Sequence, residues 1–384
     1  MKKCVFLIVM SLLACSSVWS QNGGDSEWGG YPDEPQGSEI DGLVYFFLSE
    51  YELAYVRRDN CWDGELVIPS EVEHDGITYS VAGISWNSFR NCQTLTKVTI
   101  PHTLIYLVHW GSYADFTPQN VPFVGCSALE SIEVEENNPQ FCSVDDVMFT
   151  KDKTDLVCYP AGSKRQTYTV PDGVESVYAD AFAYNPYLVS VTFPNTVSSM
   201  YPCFKGCTAL ESVTLSKNLS ILPSGIFSGC TKLKSIEIPT SVTEVKANAF
   251  EDCSSLTTIE LPSSVTQLGY FVFRGCSSLK SLVIKGYLEE TSSRNVNEQR
   301  FGTIPEQVTI YCQPEQMETI QEYFSGTVLP LDMYQSEAGA YTAIESTLKE
   351  VPANIPAYNL QGRQLTQKPH KGVYINDGRK IVVK

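Results

Sequence analysis

Cysteine occurs thirteen times in this chain of 384 residues, and its thiol is the most reactive side chain that recurs in the sequence. Thiols can ligate metals, form disulfides or act as nucleophiles. Six of them stand three residues after a phenylalanine: Cys92, Cys126, Cys207, Cys230, Cys253 and Cys276. The last four are spaced 23 residues apart. A catalytic group is needed once, so this recurrence favours a structural role for the six thiols.

Disulfide pairing within this column is unfavourable. Equivalent residues of stacked units have parallel Cβ vectors, whereas a disulfide needs Cβ atoms about 3.8 Å apart and turned toward each other. The same slot holds Asn185 in one unit, so we expect a small buried side chain that packs or bonds to the backbone. The sequence leaves open the states of five other cysteines: Cys61, Cys142, Cys158, Cys203 and Cys312.

Other catalytic signatures are missing from the sequence. The four histidines (His74, His102, His109 and His370) have no His or Cys partner at metal-binding spacing. No Gly-x-Ser-x-Gly, His-Glu-x-x-His or P-loop motif occurs. We therefore predict a protein without metal, cofactor or enzymatic activity.

The units that carry the cysteines also share a strand pattern. They align on an inward residue that Pro often follows, with a second apolar residue two positions earlier. These anchor residues are Ile68, Ile100, Val134, Tyr159, Phe193, Leu215, Ile238, Leu261, Ile284 and Ile310. A regular period of this length is typical of one supersecondary unit stacked on itself. The pattern predicts ten rungs with a parallel β-sheet along one side.

Residues 42–312 resemble the bacterial leucine-rich-repeat family called BspA-like or Treponema-type. The stretch from Ile238 to Leu256 nearly matches that family's consensus, and the stretch from Asp145 to Pro160 resembles its hairpin-containing repeat. The resemblance implies a right-handed leucine-rich-repeat solenoid of about 23-residue units over 42–330. It also implies an exported or cell-surface protein that binds other proteins or glycans and has no known catalytic residues.

The first twenty residues are typical of a secretory signal, with a basic start at Lys2 and Lys3 and a short apolar stretch. Cleavage before Gln21 fits the small-residue rule. A competing interpretation takes Leu12-Leu13-Ala14-Cys15 as a lipobox, which would leave Cys15 lipidated; we favour the first. Residues 21–41 are rich in Gly, Ser, Asp and Pro, which predicts a flexible linker.

The end of the chain is predicted to form a separate small β-module at 346–384, after a linker at 331–345. Tyr358 to Arg363, Lys371 to Ile375 and Gly378 to Lys384 resemble C-terminal sorting segments of Bacteroidetes exported proteins, which direct type IX secretion. We predict three short strands joined by turns at Gly362, Gly372 and Gly378. The alternative is a β-module without a sorting role.

The net charge of −17 excludes a basic surface of the kind that binds nucleic acid or anionic membranes. It fits a monomer that resists self-association. No segment after the signal is long and apolar enough for a transmembrane helix. The expected partner is an extracellular protein or glycan.

Two regions are candidates for binding that partner. One is the outward face of the strands, which includes Lys97, Thr99, Glu133, Glu237, Thr258 and Glu260, and in the same rows Leu156, Cys158 and Val283. Glu237 and Glu260 fall on adjacent rungs, where they either form a contact for a cation or a basic ligand or are simply two solvated carboxylates; we favour the second interpretation. The other is an insertion at 105–122 with aromatic residues: Tyr106, His109, Trp110, Tyr113 and Phe116. These rings either bind ligand or cover an irregular rung. A second insertion at 286–302 is polar, and we expect a mobile loop there.

These features predict a non-catalytic protein for protein binding or adhesion. The alternative is a carbohydrate-binding accessory protein of a glycan-using bacterium, in which Trp110 stacks on sugar rings.

The two cleavage interpretations predict different N-termini for the exported protein. We expect a free N-terminus at Gln21. Intact-mass and N-terminal peptide analysis of protein from its native host would check this. An acylated Cys15 would instead establish the lipid anchor.

Overall fold

The computed structural model describes residues 37–57, 61–85, 88–108, 121–289, 294–301 and 303–334, and four short strands between 357 and 383. The strands up to the centre of the array are β1 (Ser38–Ile40), β2 (Leu43–Leu48), β3 (Leu53–Val56), β4 (Gly64–Val67), β5 (Glu71–His74), β6 (Ile77–Ser85), β7 (Leu95–Ile100), β8 (Tyr106–Val108), β9 (Ser131–Val134), β10 (Phe141–Val144), β11 (Val147–Thr150), β12 (Asp155–Cys158), β13 (Thr167–Thr169) and β14 (Ser176–Val177).

The remaining strands are β15 (Ser190–Thr192), β16 (Ser199–Met200), β17 (Ser212–Thr214), β18 (Ile221–Leu222), β19 (Glu244–Val245), β20 (Thr258–Leu261), β21 (Gln267–Leu268), β22 (Ser281–Ile284), β23 (Thr309–Cys312), β24 (Thr327–Pro330), β25 (Ala357–Tyr358), β26 (Gln364–Leu365), β27 (Gly372–Asn376) and β28 (Arg379–Val383). The described helices are α1 (Arg294–Phe301) and α2 (Met317–Tyr323), with 3-10 turns at Ser49–Tyr51, Pro314–Gln316 and Leu331–Met333.

Two rows of parallel strands run along a leucine-rich-repeat fold. The first row consists of the sheets β4-β7-β9, β13-β15-β17 and β20-β22-β23-β24, and its outward side is called the strand face below. The second row contains β6-β8, β12-β14-β16 and β18-β19-β21. At the N-terminal end, β1, β2, β3 and β5 extend the β6 sheet with antiparallel and parallel pairs. Most rungs therefore contribute one strand to the face and another behind it, although residues 235–238, on the rung between β17 and β20, are not in strand conformation.

A column of stacked phenylalanine rings fills the core between the rows. The centroids of Phe204 and Phe227 lie 5.6 Å apart, and those of Phe227 and Phe250 lie 5.5 Å apart. In both pairs the rings are fully buried and stacked nearly parallel, with interplanar angles of 10° and 13°. The spacing follows from the distance between parallel neighbouring strands, about 4.8 Å. One ring per rung is thus enough to make a continuous apolar column.

The turn after each phenylalanine explains the recurring Gly-Cys dipeptide. The residue before each of the six ladder cysteines has a positive φ, for example 69° at Gly206 and 76° at Gly229. Glycine adopts this left-handed conformation without steric cost, and Asn and Asp tolerate it. In the rungs that lack glycine, Asn91 and Asp252 take this position.

The strand register corrects the assignment of Tyr159 as an anchor. Strand β13, not β12, pairs with β15 in the first row, with Tyr168 opposite Val191. Strand β12 pairs with β14 in the second row instead. The Tyr159 ring lies 5.1 Å from the Phe182 ring and so belongs to the aromatic column. The anchor of this rung is Val170, which is buried and precedes Pro171.

The anchor assignment at Ile310 is also wrong, by two residues. Ile310 pairs with Leu282, so the position equivalent to Ile284 is Cys312. The Cys312 side chain is fully buried, as expected for an anchor. The sheet continues through β24, where Val328 pairs with Ile310.

Three further features differ from the sequence predictions. Strand β1 lies inside the expected linker at 21–41, because Asp41-Gly42 forms a hairpin turn with φ of 50° and 82° that pairs β1 with β2. The insertion at 286–302 contains α1, whose Phe301 is buried. The C-terminal region has four strands rather than three, in the order β26-β25-β27-β28, and Gly372 begins β27.

Truncation of one ring in the aromatic column should weaken the whole array. We expect Phe250→Ala to lower the free energy of unfolding by about 3–5 kcal/mol, because it removes a buried ring and leaves a cavity between two stacked neighbours. Urea denaturation followed by circular dichroism would measure the change. Thr240→Ala, an exposed site, is the control. Equal stability of the two variants would contradict the stacking argument.

Candidate binding surface

The middle of the strand face carries two rows of hydroxyl side chains. Register places Thr167, Ser190 and Ser212 in one row and Thr169, Thr192 and Thr214 in the next. Ser190 is half-buried and the other five are exposed. These six residues are called the hydroxyl patch. Their strands are fixed because the alternate residues Val191 and Val213 are buried in the core.

The N-terminal side of the strand face carries ion pairs between neighbouring segments. Lys97 Nζ lies 2.7 Å from Glu133 Oε1 on the neighbouring strand, and this bond raises the pKa of the lysine. Thr99 lies half-buried opposite Glu133. Asp146, in the turn between β10 and β11, accepts from Ser131 Oγ at 2.9 Å and pairs with Arg165 at 2.9 Å. These contacts lie between the β9 and β13 sheets.

The C-terminal side of the face is covered by the chain that follows β24. Tyr334 donates its hydroxyl proton to Glu260 Oε1 at 2.6 Å, and its ring lies 5.1 Å from that of Tyr311. Glu260, Val283 and Tyr311 are neighbours in register, so Tyr334 spans Val283. Accordingly, Val283 is fully buried although its position predicts an outward side chain.

Glu260 is therefore not an open carboxylate, which counts against the acidic contact predicted for it and Glu237. Its Oε2 lies 2.6 Å from Lys285 Nζ. The bonds from Lys285 and then from Tyr334 lower the pKa of Glu260. Glu237 is exposed on the adjacent rung, and Thr258 is half-buried. Leu156 and Cys158, also expected on this face, are buried because β12 belongs to the second row.

The described start of the aromatic insertion lies in the second row and not on the strand face. Tyr106 lies in β8, which pairs with β6 in the second row, and burial raises the pKa of its hydroxyl. His109, Trp110, Tyr113 and Phe116 lie outside the described residues. Their role as ligand contacts stays a prediction.

The ladder thiols bond to backbone. The Sγ atoms of Cys207, Cys230, Cys253 and Cys276 lie 3.0–3.2 Å from the carbonyl oxygen of the phenylalanine one rung earlier. Cys126 Sγ reaches Phe89 O at 2.9 Å. Asn185 uses its amide in a similar way, with Nδ2 3.2 Å from Pro160 O. Burial raises the pKa of Cys207 to about 12.

Several surface residues escaped sequence analysis. Thr167 and Thr169 were missed because Tyr159 was taken as the anchor, although Tyr168-Thr169-Val170-Pro171 carries the same pattern. Tyr334 gave no signal, since its contact to Glu260 spans 74 residues outside the repeat period. In the described part of the chain no group of His, Cys, Asp or Glu side chains is arranged to hold a metal ion.

The repeats match the model of a known protein family. The model of the BspA type leucine rich repeat region matches in six copies, at residues 70–201, 157–280 and 200–324. The chain belongs to this family. Its members are bacterial leucine-rich-repeat proteins of the type predicted from the stretch around Phe250.

Solved structures of bacterial leucine-rich-repeat proteins resemble the BspA-type chain. A leucine rich cell surface protein from Faecalibacterium prausnitzii is 20% identical, with a TM-score of 0.40 over 70% of this chain and 98% of that one. A protein from Bacteroides ovatus is 22% identical, with a TM-score of 0.42 over 76% and 66%. The leucine-rich-repeat protein of T. pallidum is 21% identical, with a TM-score of 0.33 over 64% and 91%.

No functionally curated protein matches the chain. Among the described residues, no helix has the length and apolar character needed to cross a membrane.

The ladder geometry predicts very uneven thiol reactivity. In reduced, folded protein at a pH of about 8, iodoacetamide should label the exposed Cys61 and leave the ladder cysteines from Cys126 to Cys276 unlabelled, because burial raises the pKa of thiols such as Cys207. Peptide mass spectrometry with and without urea would measure the labelling. If ladder cysteines and Cys61 react at one rate without urea, the ladder assignment fails.

Proposed function

We propose that this BspA-type protein is a non-catalytic, exported or cell-surface binding protein that engages another protein, as in adhesion, through the hydroxyl patch. The 105–122 segment would add contacts. One observation carries this proposal: five of the six patch side chains are exposed, whereas Lys97 and Glu133 on one side and Glu260 on the other are paired within the chain. The family assignment supports protein binding over catalysis.

The chemistry of the patch favours recognition by shape and hydrogen bonds. Each hydroxyl both donates and accepts, so the patch can bond to peptide groups of either polarity. Threonine is stiff at χ1, so ordering Thr192 and Thr214 on binding costs little side-chain entropy. The six residues carry no charge, and the charged Glu211, next to Ser212 in the chain, is paired with Lys234 at 2.8 Å. We expect a relatively flat, neutral partner surface.

A carbohydrate partner is the second candidate. The two hydroxyl rows are in register from rung to rung, and such rows can bond to the hydroxyls of an extended polysaccharide. In this version Trp110 supplies the stacking contact that sugar binding commonly uses. The two candidates differ in which substitution removes binding.

The test is a binding screen of the full-length exported chain against host matrix proteins and glycans. For any ligand found, we expect the double variant Thr192→Arg, Thr214→Arg to weaken binding by at least about tenfold, because two long charged side chains cover the patch. The matched control is Ser199→Arg, an exposed strand residue of the second row. Its affinity should equal that of the unmodified protein.

The outcomes separate the alternatives. Loss of protein binding in the patch variant alone supports the main proposal. A glycan ligand whose binding is lost in Trp110→Ala supports the carbohydrate version. Equal affinity of the patch variant and the control for every ligand found would overturn the assignment of the hydroxyl patch.

A further inference from the structure

In the described part of the chain, one ladder thiol differs from the other five because a second thiol lies beside it. Cys61 Sγ lies 3.0 Å from Cys92 Sγ, and Cys61 is exposed whereas Cys92 is buried. The other ladder thiols bond to a phenylalanine carbonyl of the preceding rung. Cys92 belongs to the first rung of the ladder and reaches Trp62 O at 3.2 Å instead. Its sulfur is thus turned toward the segment that holds Cys61.

The surroundings of the pair hold the two sulfurs together. The Trp62 backbone N–H donates to Cys92 Sγ at 3.0 Å, and Thr94 Oγ1 donates to Trp62 O at 2.8 Å. The Trp62 indole packs against the core and donates to Glu65 O at 3.0 Å. The backbone that follows Cys61 is therefore tied to the rung of Cys92. Little chain movement is needed to bring the sulfurs to bonding distance, about 2.05 Å.

We propose that Cys61 and Cys92 form a disulfide in the exported protein, which fastens the first strand of the strand face to the second. Strand β4 begins three residues after Cys61 and, among the described strands, lies at the edge of its sheet and pairs with β7 alone. An exposed edge is prone to fraying and to pairing with other chains. The cross-link would close a loop between residues 31 apart and hold this end of the array in register.

The reaction is a thiol–disulfide exchange with an external disulfide, such as oxidised glutathione or an exported oxidoreductase. The exposed Cys61 thiolate attacks the oxidant, whose sulfur–sulfur bond breaks and releases one thiol. Cys92 then attacks Cys61 Sγ and expels the second thiol. The two cysteines lose two protons and two electrons, and the oxidant is reduced to two thiols.

The electrostatics suit Cys92 as the second nucleophile. In the reduced pair, burial opposes its ionisation, but hydrogen bonds from Cys61 and from the Trp62 N–H outweigh burial and lower the pKa of the Cys92 thiol. The bond from Cys61 is lost once Cys61 carries the mixed disulfide, whereas the Trp62 N–H, 3.0 Å from Cys92 Sγ, still favours the Cys92 thiolate. The hydrogen bond to Cys92 raises the pKa of Cys61. Burial instead raises the pKa of Cys126 to about 12, so that thiol is a poor competitor.

Peptide mapping tests the proposal directly. Trypsin separates the two cysteines into peptides 59–90 and 91–97, and each contains one cysteine. Full-length protein would be equilibrated in a buffer of oxidised and reduced glutathione, quenched with acid, alkylated and digested. We expect the two peptides to be joined, and two hydrogens lighter than their sum. Recovery of both as separate alkylated peptides would overturn the proposal.

A second measurement tests the consequence for β4. Reduction should speed amide exchange at residues 64–67 by at least about tenfold, and Cys61→Ser should exchange at the reduced rate under either condition. Cys142→Ser is the matched control, since the hydrogen bond of that half-buried thiol goes to a carbonyl, Thr150 O at 3.3 Å, rather than to another thiol. It should keep the response to reductant. No ligand is used, so the result is independent of binding at the hydroxyl patch.

Discussion

The structure depends on one constraint: the backbone groups of each turn must be satisfied by the neighbouring rung. At Phe227 the backbone N–H donates to Ala249 O at 2.9 Å, and the carbonyl accepts from Cys253 Sγ at 3.2 Å. Buried polar groups without partners would cost about 1–3 kcal/mol each. Each turn thus provides hydrogen-bond partners for the backbone and thiol groups of the adjacent turns. This reciprocity explains why Phe, a left-handed residue and Cys recur together, since loss of one leaves a neighbour incomplete.

The same constraint separates the scaffold from the surface that it presents. Inward residues of the strand face, such as Val191, are fixed by the core, whereas the outward residues between them bear no rung-to-rung requirement. The backbone ladder places Thr192 and Thr214 opposite one another whatever their side chains are. A face of this kind can change its chemistry without loss of fold. For that reason the chemistry of the strand face depends on its outward side chains.

The sequence predicts the regular part of the molecule well, because period and burial are local properties. The Phe and Cys columns and the two-residue alternation could be aligned from type and spacing. The alignment failed where a second pattern imitates the first: Val157-Cys158-Tyr159-Pro160 has the anchor pattern but lies in the second row. At Ile310, Val308 and Cys312 are also apolar, so alternation alone could not fix the register. The cover provided by Tyr334 was not predictable, because its contact is long-range and made only once.

Side-chain contacts that do not repeat from rung to rung are found at the two ends of the array, because a terminal rung has a neighbour on one side only. At the C-terminal end the chain continues as β24 and then turns back, so that Tyr334 contacts the face itself. At the N-terminal end the first ladder thiol has no phenylalanine carbonyl below it and contacts Trp62 and Cys61 instead. Non-repeating residues therefore concentrate where stacking stops. The centre of the face, between these two ends, carries the hydroxyl patch, which we propose as the binding surface.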